Sequence, residues 1–299
     1  MPHRQFRDTS ILHIEDLDHG YDGKMVLDNV DLSVKAGEFV TVVGPSGCGK
    51  STLLRLVVGQ EIATTGTMLV QGAPVSTPSA ERGVVYQHYS LFPNLSALDN
   101  VLSAVRLRQR PWQSVSKEER DRAAYFLERA GLKEHMKKYP SQLSGGQRQR
   151  VAIVQSVFKH PQILCMDEPF SALDPGTRED MQMFILEIWE EEGMTILFVT
   201  HDLEEGLYLG TRLIALSRYY MDDRELADEE RGAKIVLDWE LAHRAVGPSV
   251  KETAEFGQAI QNVRREAFDP QYRQHVREFE FTHSTSWRTL GDGEDNGGK

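Results

Sequence analysis

Residues 44–52 read Gly-Pro-Ser-Gly-Cys-Gly-Lys-Ser-Thr and follow directly on Phe-Val-Thr-Val-Val at 39–43. A short valine-rich run bounded by glycine is a buried strand, and the glycines cannot continue it. Residues 51–58 then have helical character. A buried strand, a glycine loop and a helix in that order call for a largely parallel sheet with helices on its faces. The string matches G-x-x-x-x-G-K-[ST], whose backbone N–H groups wrap nucleotide phosphates. Chance places that pattern in about one chain in a hundred of this length. Alone, it reads equally as a tight turn with a surface lysine.

The rest of the chain agrees with a parallel sheet. Further strand-like runs lie at 84–86, 163–166, 195–200 and 213–217, alternating with longer helical stretches. Between about 89 and 160 the strand signals vanish. Ser116 and Glu119 have capping-box spacing, Ala123, Phe126, Leu127 and Ala130 share one face, and Gly131 is a stop. This predicts a helical subdomain at 88–160 inserted into an α/β core. After 217 the character changes: 219–232 is acidic and reads as an exposed loop. A strand is expected at 234–237, then a second capping box (Ser249, Glu252) opening a helix with Phe256, Ile260, Val263 and Ala267 on one side. Residues 291–299, rich in glycine and acid, are expected to be disordered.

Charge narrows the partners. The net charge of −11 argues against a nucleic-acid-binding surface and against direct docking on an anionic membrane. No apolar run reaches the 18 or so residues that span a bilayer, and the first residues lack the apolar stretch of a signal peptide, so a cytoplasmic location is expected. Two cysteines, Cys48 and Cys165, form neither a disulfide framework nor a metal cluster.

Three constellations carry chemistry. In the first loop, Lys50 suits the β- and γ-phosphates, Ser51 a Mg²⁺ ion and Thr52 the α-phosphate side. Cys48 lies near a helix N-terminus that favours a thiolate. In the second, Ile-Leu-Cys-Met-Asp-Glu-Pro at 163–169 ends an apolar strand in two carboxylates. Asp167 suits Mg²⁺, usually through water, and Glu168 suits a general base for the attacking water. In the third, Leu-Ser-Gly-Gly-Gln at 143–147 opens a helix and makes an anion site.

With these motifs the chain resembles the nucleotide-binding subunit of an ATP-binding cassette (ABC) transporter over residues 11–217. The resemblance implies an α/β P-loop ATPase core with a mainly parallel sheet, an N-terminal antiparallel β-subdomain, the inserted helical subdomain, and a helical C-terminal extension at 218–290. It implies that Gly44, Pro45, Ser46, Gly47, Cys48, Gly49, Lys50, Ser51 and Thr52 hold ATP. Ser144, Gly145, Gly146 and Gln147 then cap the γ-phosphate of ATP held by a partner subunit. Tyr21 stands where the family stacks an aromatic ring on adenine, although such a residue also serves packing. Gln87 is placed to sense Mg²⁺ and water, Asp174 to cross between subunits, and His201 to steady Glu168 and the γ-phosphate.

The implied function is an ATP-hydrolysing subunit of an importer, similar to the nitrate, sulfonate and taurine group. It implies a homodimer at the cytoplasmic face of the inner membrane beneath permease subunits, served indirectly by an extracytoplasmic solute-binding protein. The segment after Gln87, residues 89–95, would receive the permease. Gly206 and Gly210 depart from the alanines more usual in that group. A soluble ABC-type ATPase and a nucleotide sensor are the competing readings; the lack of a second cassette counts against the former, Glu168 against the latter.

Overall fold

A computed structural model describes residues 10–87, 91–106, 115–224, 230–241 and 248–283. The chain clusters into two compact units, Met1–Pro78 with Leu197–Lys299, and Ser79–Ile196.

The first unit opens with a long hairpin. Strands Ser10–Tyr21 and Lys24–Lys35 pair antiparallel, and Thr65–Val70 and Ala73–Pro74 extend the sheet beyond the first of them. Both turn residues, Asp22 and Gly23, have positive φ (50° and 78°), the twist that two-residue hairpins prefer. Asp31 sits on the second strand at 8 % exposure, accepting the Asp16 N–H at 2.8 Å. Burial, reinforced by the Asp16 and Glu15 charges, pushes its carboxyl up to about 7. The folded chain therefore holds a proton that the unfolded chain releases above about pH 4, and stability falls as pH rises towards and through 7. Asp31→Asn is expected to add about 3 kcal/mol at pH 8, roughly 5–10 °C in Tm, and close to nothing at pH 4. Calorimetry at the two pH values checks this; an equal gain at both would refute it.

The second sheet of this unit runs Glu280–Phe281, Lys234–Glu240, Arg212–Ser217, Phe39–Val43, Thr195–Val199, the last being where the chain passes between units. Phe39–Val43 and Arg212–Ser217 are parallel, with Val43 opposite Ala215, and wholly buried. Arg212, 1 % exposed, is tolerated there because Asp238 on the neighbouring strand takes it bidentately at 2.7 and 2.6 Å. Helix Leu203–Leu209 lies close on this sheet: a Cβ on Gly206 would stand 2.8 Å from Val43 Cγ1, and one on Gly210 2.8 Å from Thr41 Oγ1. An alanine at either place would force a neighbour to shift, the Val43 side chain for Gly206 and, for Gly210, the Arg212 backbone as well.

The C-terminal extension is helical over Ala254–Val263, and it adds strands to the sheet. The Ser249–Glu252 capping box does not form. Pro248–Glu252 is a 3₁₀ turn, and Thr253 caps the helix by accepting the Phe256 N–H at 3.2 Å. Phe256, Val263 and Ala267 are buried as their spacing predicts, while Ile260 is only half-buried. The exposed-loop expectation for 219–232 is corrected at Tyr220 and Arg231, which are buried, the first donating to Asp28 and the second to Asp222, with Arg224 also paired to Asp28, while Met221, Asp223 and Glu230 are exposed as expected. Residues 225–229 of that segment, and the tail at 291–299, lie outside the described residues.

In the second unit, strands Arg82–Val85 and Ile163–Asp167 pair in parallel, Val85 opposite Met166. Helices Ala97–Arg106, Lys117–Arg129, Gly145–Phe158 and Pro175–Glu192 surround them in sequence. The Ser116–Glu119 box forms in both directions, at 2.8 and 3.1 Å, and Gly131 (φ 70°) follows the end of that helix. Ala123, Phe126 and Leu127 are its buried face.

Candidate functional site

In the first unit the strand Phe39–Val43 delivers the chain into the glycine loop, and the helix Lys50–Val58 leaves it. Gly49 is the residue before that helix, at φ 101°, a backbone geometry that a side chain would strain. It also rests against the hairpin, since a Cβ there would stand 2.8 Å from Leu27 Cδ2. Gly44 is seated as tightly, its hypothetical Cβ 2.2 Å from the Leu216 carbonyl oxygen. Lys50, only 7 % exposed, folds back along the loop and donates to the carbonyls of Gly44 (2.7 Å) and Pro45 (3.0 Å). The ammonium is thus held over the loop that the helix N-terminus completes, an arrangement suited to phosphate. Ser51 and Thr52 occupy the first turn of the helix.

Cys48 corrects an expectation. It is buried, and burial pushes its thiol up despite the Lys50 charge, so the site disfavours a thiolate. Desolvation outweighs the helix N-terminus.

Tyr21 stands at the hairpin end with 41 % of its surface exposed, so its ring is not core. Its hydroxyl donates to Glu61 and also meets the Thr52 side chain, which ties the ring to the glycine loop. His19 sets its ring edge-on at 5.0 Å, and Arg55 pairs with Glu61 at 3.3 Å. Nothing in the sequence pattern marks Glu61, Arg55 or His19, because their partnership depends on the hairpin meeting the helix.

His201 follows the strand Thr195–Val199. The Thr200 N–H donates to Val42 O at 3.2 Å, so His201 belongs to the same sheet end as the loop. Asp202 caps the next helix, accepting from Glu204 N at 2.9 Å, and the Thr200 hydroxyl donates to Glu205 at 2.9 Å. These bonds fix the turn that carries the imidazole.

In the second unit, Gln87 and Asp167 lie at the C-terminal ends of two adjacent parallel strands, the end where open α/β sheets bind ligands. Glu168 follows at φ 47°, a left-handed conformation costly for glutamate. It is held there by Ser171, whose hydroxyl and N–H donate to the Glu168 carbonyl at 3.0 and 3.3 Å. Gln149 donates to Pro169 O at 2.8 Å, tying the same turn to helix Gly145–Phe158.

That helix begins at Ser144. The Ser144 hydroxyl accepts the Gln147 N–H at 3.2 Å, and Gln147 Oε1 accepts the Ser144 N–H at 3.0 Å. Ser144 and Gln147 are therefore a capping box, and Ser-x-x-Gln is a spacing from which the sequence pattern could have revealed it. Asp174 likewise caps helix Pro175–Glu192 through Thr177 N at 3.1 Å, and that bond lowers its pKa. Leu173 Cδ2 lies 3.2 Å from a Cβ built on Gly146, so 171–174 and 144–147 adjoin. Of the expected permease-facing segment, Phe92 is 46 % exposed, while Tyr89 and Ser90 lie outside the described residues.

The polar groups suit a hard cation only in company. Ser51 in the first unit, and Gln87 and Asp167 in the second, each carry a side-chain oxygen, and among the described residues no cluster of three His, Cys, Asp or Glu side chains holds a metal by itself. Mg²⁺ binds in this way, with few protein ligands and with phosphates and water completing its shell.

Residues 27–171 match the family described as ABC transporter. The chain is 45 % identical over 211 residues to the nitrate import ATP-binding protein NrtD of Synechocystis sp., covering 69 % of this chain and 77 % of that one. It is 47 % identical over 191 residues to the taurine import ATP-binding protein TauB of Chromobacterium violaceum, covering 64 % and 72 %. Among solved structures it resembles the ATP-binding cassette MJ0796, a dimer in a post-hydrolysis state bound to ADP and Pi. The TM-score is 0.63 at 31 % identity, covering 78 % of this chain and 99 % of that one.

Proposed function

The chain belongs to the ABC transporter family, and from that premise we propose that it is the ATP-binding and ATP-hydrolysing subunit of an importer. The observation that carries the proposal is the phosphate cradle. A buried strand opens into a loop seated on Gly44 and Gly49, with the Lys50 ammonium folded over it at the start of a helix. The import reading rests on the relatives named for nitrate and taurine import.

In this reading residues 44–52 hold the triphosphate, Tyr21 stacks on the adenine, and Glu168 takes the proton of the attacking water with His201 steadying it. Bound Mg²⁺ supplies neutralisation of phosphate charge, and Ser51, Asp167 and Gln87 are its proposed protein contacts. Ser144, Gly145, Gly146 and Gln147 cap the nucleotide of a second copy, with Asp174 beside them. One cradle and one cap per chain are complementary rather than self-sufficient, which favours a two-fold homodimer with two ATP molecules. Closing on ATP and opening after hydrolysis then moves the permease.

The described residues include no helix long and apolar enough to cross a membrane. The protein is accordingly proposed to sit peripherally on the cytoplasmic face of the inner membrane, through the permease. Its acidic charge suits protein docking better than anionic lipid, and a solute-binding protein outside the membrane is a partner only indirectly. Co-expression with a permease pair of the nitrate–taurine class tests this. The protein is expected to sediment with membranes in that case and to remain in the supernatant without the pair. Supernatant location in both cases would favour a soluble ABC-type ATPase instead.

A further inference from the structure

The segment after Ser217 grips the strand on which the phosphate loop rests. Val26 and Leu27 of the hairpin form the wall behind Gly49. The main chain on both sides of Leu27 is pinned by a single residue of the extension: Ala233 N donates to Val26 O at 2.8 Å, and Asp28 N donates to Ala233 O at 3.0 Å. The Asp28 carboxylate is gripped in turn. Arg224 donates to it at 2.6 and 3.2 Å, Tyr220 OH donates at 3.0 Å, and Lys234 Nζ lies 3.6 Å away. Arg224 also reaches Asp222 at 2.6 Å, so one guanidinium bridges two carboxylates. Burial alone would raise the Asp28 pKa, yet Arg224 and Lys234 hold it below the ordinary carboxylate value.

The other wall of the cradle is tied to the same extension. Gly44 is seated on the Leu216 carbonyl, and the next residue, Ser217, donates its hydroxyl to Ala267 O at 2.7 Å. Both glycines that shape the loop therefore lean on strands whose positions the extension sets. A web of this kind, with three cations around two buried carboxylates, is more than covering a hydrophobic edge requires.

We propose that Asp28 is a positioning residue for the phosphate loop, and that Tyr220, Arg224, Ala233 and Lys234 of the extension set ATP affinity by holding it and its strand. This rests on the nucleotide-binding reading above. Because linkage is reciprocal, bound nucleotide in turn stabilises the docked segment.

The test uses the full chain, a fluorescent ATP analogue with Mg²⁺, and steady-state ATPase assays. Arg224 is about one-third exposed on its side chain, so Arg224→Gln leaves a polar group where water can reach it. Arg224→Gln and Tyr220→Phe are expected to weaken analogue binding 5- to 20-fold and to raise KM for ATP, with kcat retained. Arg224→Lys keeps the charge but loses the fork, and restores part of the affinity. Asp28→Asn combined with Arg224→Gln is expected to weaken binding by less than the product of the two single effects, since both break the Arg224–Asp28 contact while Arg224 also holds Asp222. As a comparison, Arg129→Gln removes ion pairs to Glu187 and Glu191 in the other unit and leaves KM unchanged.

Analogue affinity within twofold of wild type in Arg224→Gln would overturn the clamp, as would a fall in kcat that tracks loss of folded protein with KM unchanged. Wild-type protein that fails to bind the analogue would overturn the nucleotide reading itself, and the clamp with it.

Discussion

Lys50→Ala is expected to lower ATP affinity by a hundredfold or more while the protein stays folded. Lys50 is 7 % exposed, and its ammonium makes two hydrogen bonds, to Gly44 O and Pro45 O. These bonds brace the loop and keep a positive charge over the amides that face a phosphate. A charge-assisted contact to a polyanion in a partly desolvated site contributes about 3 kcal/mol or more, which is a factor of about a hundred in Kd. The bracing bonds contribute only about 1 kcal/mol each to stability, so the melting temperature should fall by a few degrees at most. Lys50→Arg is not expected to rescue binding, because a planar fork cannot follow the short path from helix to loop carbonyls. Titration with a fluorescent ATP analogue measures the loss, and unchanged affinity in Lys50→Ala would remove the phosphate-loop assignment.

Glu168→Gln is expected to separate binding from hydrolysis. Glu168 holds φ 47°, and its carbonyl accepts two bonds from Ser171. Neither feature involves the carboxylate, and glutamine is nearly isosteric, so the turn survives the change. What disappears is the proton acceptor. Loss of a general base costs about 10²–10⁴ in kcat. ATP binding should remain near the wild-type level, and the variant should elute from gel filtration as a dimer with ATP and as a monomer without it. A variant that stays monomeric with saturating ATP would sink the sandwiched arrangement, whatever its residual ATPase rate.

The two variants read different parts of the site, and their legibility in the sequence differs for a physical reason. The cradle was legible because its strand, glycines, lysine and helix are neighbours along the chain, although the seats of Gly44 on Leu216 and of Gly49 on Leu27 were not. The carboxylates at 167 and 168 were legible for the same reason, as the end of a short buried strand. The positive φ at Glu168 was not, since nothing in Asp-Glu-Pro announces it; the turn to Ser171 imposes it.

Capping separates the two kinds of information again. Ser116 and Glu119 form the predicted box because the partners are three residues apart and bond in both directions. Ser249 and Glu252 have the same spacing but are drawn into a 3₁₀ turn that begins at Pro248, and Thr253 takes the role. Cys48 follows a similar logic: its helix-end position was readable, whereas its burial, which decides the thiol's pKa, was not.

By itself, the order of residues settled the mainly parallel sheet and the family, and pointed to the phosphate loop, the paired carboxylates and the Ser-Gly-Gly-Gln helix start. The motifs are runs of a handful of neighbouring positions, and the sheet is announced by strand-length apolar runs alternating with helices, although its pairings join distant residues. Tertiary structure alone decided that Tyr220, Arg224 and Arg231, in the acidic stretch after Ser217, are tied to Asp28 and Asp222. Asp28 and Arg224 stand 196 residues apart, and no local pattern joins them. Their attraction matters only once the hairpin and the extension meet and exclude water, because a charge pair gains strength where solvent no longer screens it.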